Sequence, residues 1–273
     1  MLRKIKKYII NNLVREKITP INMPVYEGQL LKGKVALIIG GSGGIGQGIA
    51  ERFIANGCRV IVSGTNEEKL LSLRNKFGDK YRYIVMDVKE VESLQNKILE
   101  ASEFFGEIDT FVYSAGVHSN EQFGSVTENT WNLIMDINLK GMYFVCQAAA
   151  DYMISNKIHG HILNISSASC AKPGWTPYEI SKWGVRSMTL GLADKLIKKG
   201  IVVNSIAPGP VATAMLGRET GDNLTWQGNP SGRMATIEEI GNLAVFMVSS
   251  MGDLVVGDTY FLSGGSGTIC IDK

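Results

Sequence analysis

Seven short apolar runs punctuate the chain, at residues 34–39, 58–63, 81–86, 108–113, 160–165, 201–206 and 258–262, and segments of helical periodicity separate them. Runs of this length predict strands buried on both faces. Strand and helix in regular alternation predict a parallel sheet with helices on both sides and right-handed crossovers. Ligands of such sheets bind at the carboxyl ends of the strands, near the point where the strand order reverses. One doubly wound α/β domain over residues 31–273 is expected, preceded by a basic N-terminal extension, 1–30.

Two helical segments differ from the rest. Residues 130–154, TWNLIMDINLKGMYFVCQAAADYMI, are apolar on nearly every helical face. The segment from Tyr178 to Ile197 has apolar residues on more than one side, including Trp183, Val185, Met188, Leu192 and Leu196. A helix apolar all round needs burial all round, which one sheet face does not supply. Pairing of these helices across a two-fold axis would supply it.

The first run, KVALII, ends at Gly40, and Gly44 and Gly46 complete a G-x-x-x-G-x-G spacing before an amphipathic helix begins. Glycines let the chain turn tightly and bring backbone N–H groups against a pyrophosphate, and the helix N-terminus adds partial positive charge. The spacing differs from the G-x-G-x-x-G of many dinucleotide sites, but the mechanics are the same.

Further on, Tyr178 and Lys182 stand four apart in PYEISKWG, and Ser166-Ser167 ends an apolar strand about a dozen residues earlier. Positions i and i+4 share a helix face, so the ammonium lies beside the phenol. A nearby cation is expected to draw the phenol down from its usual pKa of about 10, as a proton donor to a carbonyl oxygen requires. Alternation along the strand puts Ser166 and Ser167 on opposite faces, so one of the two faces the site.

With these motifs in place, the chain resembles the short-chain dehydrogenase/reductase family from about Leu31 to Gly267, closest in pattern to 3-oxoacyl-carrier-protein reductases. The resemblance implies a Rossmann-type domain with strand order 3-2-1-4-5-6-7, and a homodimer or homotetramer built on the two apolar helices. It implies cofactor contacts from Gly40, Ser42, Gly44, Ile45 and Gly46, from Thr65, from Asp87 and Val88 after the third strand, and from Ala115 and Gly116 after the fourth. Pro208, Gly209, Val211 and Thr213 complete that set. Ser167, preferred over Ser166, would hydrogen-bond the carbonyl, Tyr178 would donate the proton, and Lys182 would lower the tyrosine pKa and bind the nicotinamide ribose. Asn138 would hold a water linking the lysine to solvent. The chain departs from the family at Ile39, where threonine is usual, at Tyr113-Ser114 in place of Asn-Asn, and in a shorter stretch between Ser167 and Tyr178.

The end of the second strand reads Ser63-Gly64-Thr65-Asn66, with neither an acidic residue for the ribose hydroxyl of NAD nor a basic one for the phosphate of NADP. Without a carboxylate to repel phosphate, and with Thr65 and Asn66 to hydrogen-bond it, NADP(H) is favoured over NAD(H). Substrate-facing segments are expected at 118–123, 170–176 and 214–233, the last polar and glycine-rich like a lid. Met215, Trp175 and Trp226 are candidates for an apolar pocket or for plain packing.

Composition adds that 273 residues, 45% hydrophobic with 31 glycines, suffice for one substantial core. Cys58, Cys146, Cys170 and Cys270 lack C-x-x-C spacing and read as reduced residues of a cytoplasmic protein. His159 and His161 lack acidic or thiol partners nearby, so no metal is expected. Residues 1–34 carry eight Lys/Arg against two Glu, so the net charge of +2 arises in the extension and gives no sign of nucleic-acid binding. In that extension Leu2, Ile5, Ile9 and Leu13 recur at helical spacing. A helix packed on protein, or a tail without fixed order, is favoured there over one lying on anionic membrane. The function expected is carbonyl reduction or its reverse on a small molecule. The alternatives are a non-catalytic nucleotide-binding scaffold or sensor, disfavoured by the four intact site residues, and a sugar epimerase or dehydratase, which usually needs a larger substrate region.

Overall fold

Alternation along the first strand sets the architecture. In β1 (Val35–Ile39), Val35, Leu37 and Ile39 join one hydrophobic core while Ala36 and Ile38 join another on the opposite face. The computed structural model describes residues 28–119, 121–213 and 223–269. The extension's amphipathic stripe, Met215 and Cys270 lie outside the described residues.

Six further strands follow: β2 (Arg59–Gly64), β3 (Tyr81–Val85), β4 (Thr110–Tyr113), β5 (Gly160–Ile165), β6 (Ile201–Pro208) and β7 (Thr259–Leu262). All pair in parallel, in the order β3-β2-β1-β4-β5-β6-β7 that the family resemblance implies. Each predicted strand is present, its ends moved by no more than about two residues, the usual scatter of such boundaries.

The helices are α1 (Gly44–Ala55), α2 (Glu67–Phe77), α3 (Leu94–Phe105), α4 (Glu128–Met135), α5 (Met142–Ser155), α6 (Pro177–Leu196) and α7 (Ile237–Val248). Helices α3, α5 and α6 cover one sheet face, and α1, α2 and α7 the other. Phe53 of α1 is fully buried in the second core, where truncation to alanine costs about 3–5 kcal/mol. Helices α1 and α7 close tightly because Gly48 and Gly241 face each other's helix. A Cβ on Gly48 would stand 2.8 Å from the Ile237 carbonyl oxygen, and one on Gly241 2.8 Å from that of Gly48.

One departure from the sequence reading bears on the site. The long helix expected over 130–154 is broken into α4 and α5 by a π-helical turn, Asp136–Gly141. The Tyr113 hydroxyl donates to the Ile137 carbonyl at 2.6 Å, giving a turn carbonyl a partner outside the helix. Gly141 packs where a Cβ would lie 2.9 Å from Val88. The turn carries Asn138, fully buried, toward the carboxyl edge of the sheet.

Candidate active site

The carboxyl ends of β1 to β4 open onto a cavity of about 450 Å³ at the strand-order switch. Its floor is backbone. Gly40, at φ +75°, approaches so closely that a Cβ would lie 2.5 Å from Ala115 Cα. Gly44, at φ +45°, sits under Thr213, and Gly43 faces open space. Helix α1 starts here with no side-chain cap on its first turn, so its N–H groups point outward unpartnered, as an anionic pyrophosphate requires. Such a cradle fits a nicotinamide dinucleotide.

Of the predicted cofactor residues, Gly40, Ser42, Gly44, Ile45, Thr65, Asp87, Val88, Ala115, Gly116 and Thr213 line this cavity. Ile39, Met86, Ser114 and Ile137 join them unanticipated, because strand ends expose residues that an apolar run assigns to the core. Six predicted residues do not line it: Tyr178 and Lys182, which belong to the polar cluster beside Gly116, and four others. Gly46 packs against the turn itself, where a Cβ would lie 2.7 Å from Gly40 O. Val211 is buried in a bridge to Ala235, Pro208 ends β6, and Gly209 is pressed against Ser263. At the far end, Asn66 caps α2 by accepting from Lys69 N at 2.9 Å, which commits its oxygen and leaves its NH₂ group as the donor. Asp87 is held by the Lys89 backbone N–H at 2.9 Å and the Lys89 ammonium at 3.4 Å.

The polar cluster lies beside Gly116, where a Cβ would meet Asn138 Oδ1 at 3.5 Å and Lys182 Nζ at 3.7 Å. Ser166 and Ser167 point apart, as strand alternation requires. Ser166 is buried and donates to Lys182 O at 3.2 Å, whereas the Ser167 hydroxyl is directed toward the Tyr178 phenol and accepts from Ser169 N at 3.1 Å. Lys182 Nζ donates to Ile165 O at 3.1 Å and lies 5.6 Å from the Tyr178 ring centroid. Asn138 is spent on structure: its amide donates to Val117 O at 2.9 Å and Ser181 Oγ at 3.3 Å, and its oxygen accepts from Val117 N at 2.8 Å. Both amide hydrogens being committed, the side chain braces the loop after β4 instead of offering a donor to water. Ser181, which sequence reasoning passed over, completes that brace; its position one residue before Lys182 was the available signal.

The electrostatics correct one expectation. Burial raises the Tyr178 pKa above 10, with the Ser167 hydrogen bond opposing and Cys170 adding to the rise. Burial also lowers Lys182 to about 8. The lysine therefore does not pull the phenol down in the protein alone, since both groups are desolvated together. The phenol is held protonated, as a donor.

Other sequence candidates disperse. Trp175 stands over the site, but Trp226 packs over its own loop near Gly228. His159 packs under Gly200, and His161, buried in β5 with its pKa lowered to about 4 by desolvation, faces Asp253 at 3.2 Å. Among the described residues no three His, Cys, Asp or Glu side chains gather as metal ligands, and no helix is long and apolar enough to cross a membrane.

A nucleotide cradle and a Ser-Tyr-Lys cluster on one sheet edge define a dinucleotide-dependent oxidoreductase, and comparison with known proteins places it. Residues 34–223 match the short chain dehydrogenase family model. The chain is 35% identical over 245 residues to 3-oxoacyl-[acyl-carrier-protein] reductase of Chlamydia muridarum, covering 86% of this chain and 98% of that one. It is 31% identical over 241 residues to the (2S)-[(R)-hydroxy(phenyl)methyl]succinyl-CoA dehydrogenase subunit BbsD of Thauera aromatica, covering 86% and 97%. Among solved structures, a gluconate 5-dehydrogenase from Burkholderia cenocepacia, in complex with NADP and tartrate, superposes with a TM-score of 0.81 at 31% identity, over 89% of this chain and 98% of that one. The chain belongs to the short chain dehydrogenase family, and it is a nicotinamide-dependent oxidoreductase of C=O and CH–OH groups.

Proposed function

We propose that the protein is an NADP(H)-preferring reductase of a small-molecule ketone, with Ser167, Tyr178 and Lys182 as its catalytic residues and Asn138 as the positioning residue of the loop they face. The observation that carries this reading is the buried Lys182 ammonium 5.6 Å from the Tyr178 ring, with Ser167 directed toward the phenol, beside Gly116 at the edge of the nucleotide cavity. When bound, the nicotinamide supplies the hydride. The chain supplies the proton. Ser167 Oγ and Tyr178 Oη together present hydroxyl donors where negative charge develops on the carbonyl oxygen. Tyr178 Oη gives up its proton to that oxygen, and the Lys182 ammonium stabilises the phenolate left behind.

The NADP(H) preference rests on the end of β2. Thr65 carries no charge to repel a phosphate, Asn66 offers its NH₂ group, and the N-terminus of α2 adds a partial positive charge. Glu67 and Glu68 in the first turn of α2 oppose it. The relatives act, by their names, on an acyl-carrier thioester, a phenyl-bearing hydroxyacyl-CoA and a sugar acid, so the activity is tested by NADPH oxidation across those classes of ketone. Cofactor binding without turnover on any of them would return the scaffold reading.

A second copy of the chain fits the groove between α4–α5 and α6, about 700 Å³ and walled by Met135, Leu139, Tyr143, Phe144, Met188 and Leu192. Tyr143 stands exposed there, which supports a homodimer or homotetramer. Light scattering at micromolar concentration is expected to give at least twice the 29.8 kDa chain mass, and a monomer would remove the assembly. A cytoplasmic setting is consistent with the unpaired Cys58, Cys146 and Cys170.

A further inference from the structure

The loop after β4 and the segment before α6 enclose a second cavity, about 240 Å³, lined by Phe123, Gly124, Val126, Trp131, Trp175 and Pro177. Among the described residues that line it none carries a charge, and the Trp131 and Trp175 indoles are the side-chain donors. Pro177 is the residue before Tyr178, and His118, at the base of the same loop, packs its ring edge-on to Tyr178 at 4.7 Å. The cavity is therefore walled by the same two segments that flank Tyr178, the loop carrying His118 and the start of α6.

Its aromatic wall is built and held. Phe123 and Trp175 meet edge to face, with centroids 5.6 Å apart and planes at 75°, the arrangement that ring quadrupoles prefer. Phe123 occupies a tight turn in which Ser125 N donates to Gln122 O at 3.0 Å, Gln122 N donates to Ser125 Oγ at 3.0 Å, and Gly124 supplies φ +86°. Trp175 is fixed by its backbone N–H, which donates to Glu179 Oε2 at 3.0 Å. Yet Phe123 is 84% exposed, Trp175 43% and Trp131 40%. Three large aromatics left to solvent around one hollow mark a binding surface.

We propose that this cavity receives a planar apolar substituent, an aryl ring, borne on the carbonyl group whose oxygen Tyr178 protonates. The inference rests on the reductase reading and names its substrate class: an aryl ketone or the corresponding aryl carbinol. An apolar cavity of about 150 Å³ accepts benzene, so 240 Å³ accommodates a ring with its attachment. A polyhydroxylated chain finds only the two indole donors there, and most of its hydroxyls would be desolvated without partners.

The test has a turnover arm and a binding arm, both on the full chain. With NADPH, acetophenone, fructose and butanone are compared in wild type, Phe123→Ala, Trp175→Ala and Trp175→Phe. Each alanine variant is expected to lower kcat/KM for acetophenone about tenfold and leave butanone within about threefold, because an aromatic contact and its buried area are lost only with the ring. Trp175→Phe restores most of the loss. The Trp175 contact to Glu179 is made by backbone, so truncation leaves the start of α6 intact. In the binding arm, 1-phenylethanol is titrated calorimetrically into the NADPH-bound protein, a complex that cannot turn over. Binding that weakens about tenfold in Trp175→Ala upholds the cavity even if no ketone is reduced, a result that sinks the reductase reading alone. Absence of phenylethanol binding, faster reduction of fructose than of acetophenone, or equal losses for butanone and acetophenone would overturn the inference.

Discussion

The nucleotide side and the substrate side of the same sheet edge are built by opposite means. On the nucleotide side the contact surface is main chain. Gly40, Gly43 and Gly44 form it because a Cβ would collide or would fill the groove, and the amides of α1 face outward uncapped. On the substrate side the surface is side chain: Phe123, Trp131 and Trp175 stand out from turns that are themselves braced. A pyrophosphate is the same in every dinucleotide, so a backbone solution serves all of them. A substrate is particular, and loop side chains change without disturbing the scaffold. The Ser167–Tyr178–Lys182 cluster lies at the seam, and substitutions there and on either side probe how separate the two sides are.

The largest effect is expected at the seam itself. Tyr178→Phe removes one hydroxyl from a half-buried ring, so fold and cofactor affinity should hold while kcat falls about 10²–10⁴-fold, the usual contribution of a general acid. Near-normal kcat on any ketone that wild type reduces would exclude Tyr178 from proton transfer. Ser167→Ala should cost more turnover than Ser166→Ala, since Ser166 bonds only the Lys182 carbonyl.

Next is Lys182, where function and stability pull apart. Burial lowers its pKa from 10.5 to about 8, so below pH 8 the fold bears the full cost of a desolvated ammonium. Between pH 8 and 10.5 the unfolded chain keeps a proton that the folded chain has released, so this contribution to stability rises with pH. Lys182→Met should stabilise the protein at pH 7 by about 2 kcal/mol, net of the lost bond to Ile165 O, while abolishing most turnover. Its melting temperature should exceed that of wild type at pH 7 and the gap should narrow above pH 8. Wild-type reduction should also decline as pH rises through 8, as the ammonium that stabilises the phenolate is lost. A gap that does not change with pH would mean that Lys182 keeps its proton in the folded protein as it does in the unfolded chain, its pKa unshifted.

How far the two sides were legible in the sequence follows from how each is made. The strands and the glycine cradle could be read because the apolar runs and glycine spacing are themselves the physical cause of those structures, whereas the strand order followed from the family resemblance alone. Asn138 was identified, but not its work: nothing in 130–154 signals a π-helical turn, whose stability comes from the distant Tyr113 hydroxyl. The tyrosine pKa was misjudged because i, i+4 spacing reports proximity and says nothing of shared burial. On the substrate side the segments holding Phe123 and Trp175 could be named, but Trp131, in a stretch read as an oligomer helix, could not be joined to them, since the three meet only through loop geometry.

On the nucleotide side, Thr65→Asp should reverse cofactor preference by about tenfold or more, because a carboxylate repels the 2′-phosphate and accepts from a 2′-hydroxyl. Fluorescence titration of NADPH and NADH with both proteins measures this. Tighter NADH binding by wild type would overturn the assignment, and an unchanged ratio in the variant would place the 2′ group away from Thr65.

The smallest effect is expected at the cap of α6, where the substrate wall is tied to the catalytic helix. Thr176 Oγ1 accepts from Glu179 N at 3.1 Å, and Glu179 Oε2 accepts from Thr176 N at 3.1 Å and Trp175 N at 3.0 Å. Desolvation raises the Glu179 pKa, but these hydrogen bonds outweigh it and hold the carboxyl below its usual 4.5. A lowered folded pKa means that the carboxylate's contribution is present at neutral pH and fades as pH falls below 4.5. Thr236 and Glu239 make the same capping box on α7 with no aromatic wall attached, which makes them the control. Thr176→Ala and Thr236→Ala should each cost about 1 kcal/mol at pH 7. Only the first loosens the carboxylate that fixes Trp175, so only the first should raise KM for an aryl ketone, by up to about fivefold, with kcat nearly unchanged. Equal KM in the two variants would show that Trp175 is positioned by its packing on Phe123 alone, and the two sides of the site would then be less coupled than the cap implies.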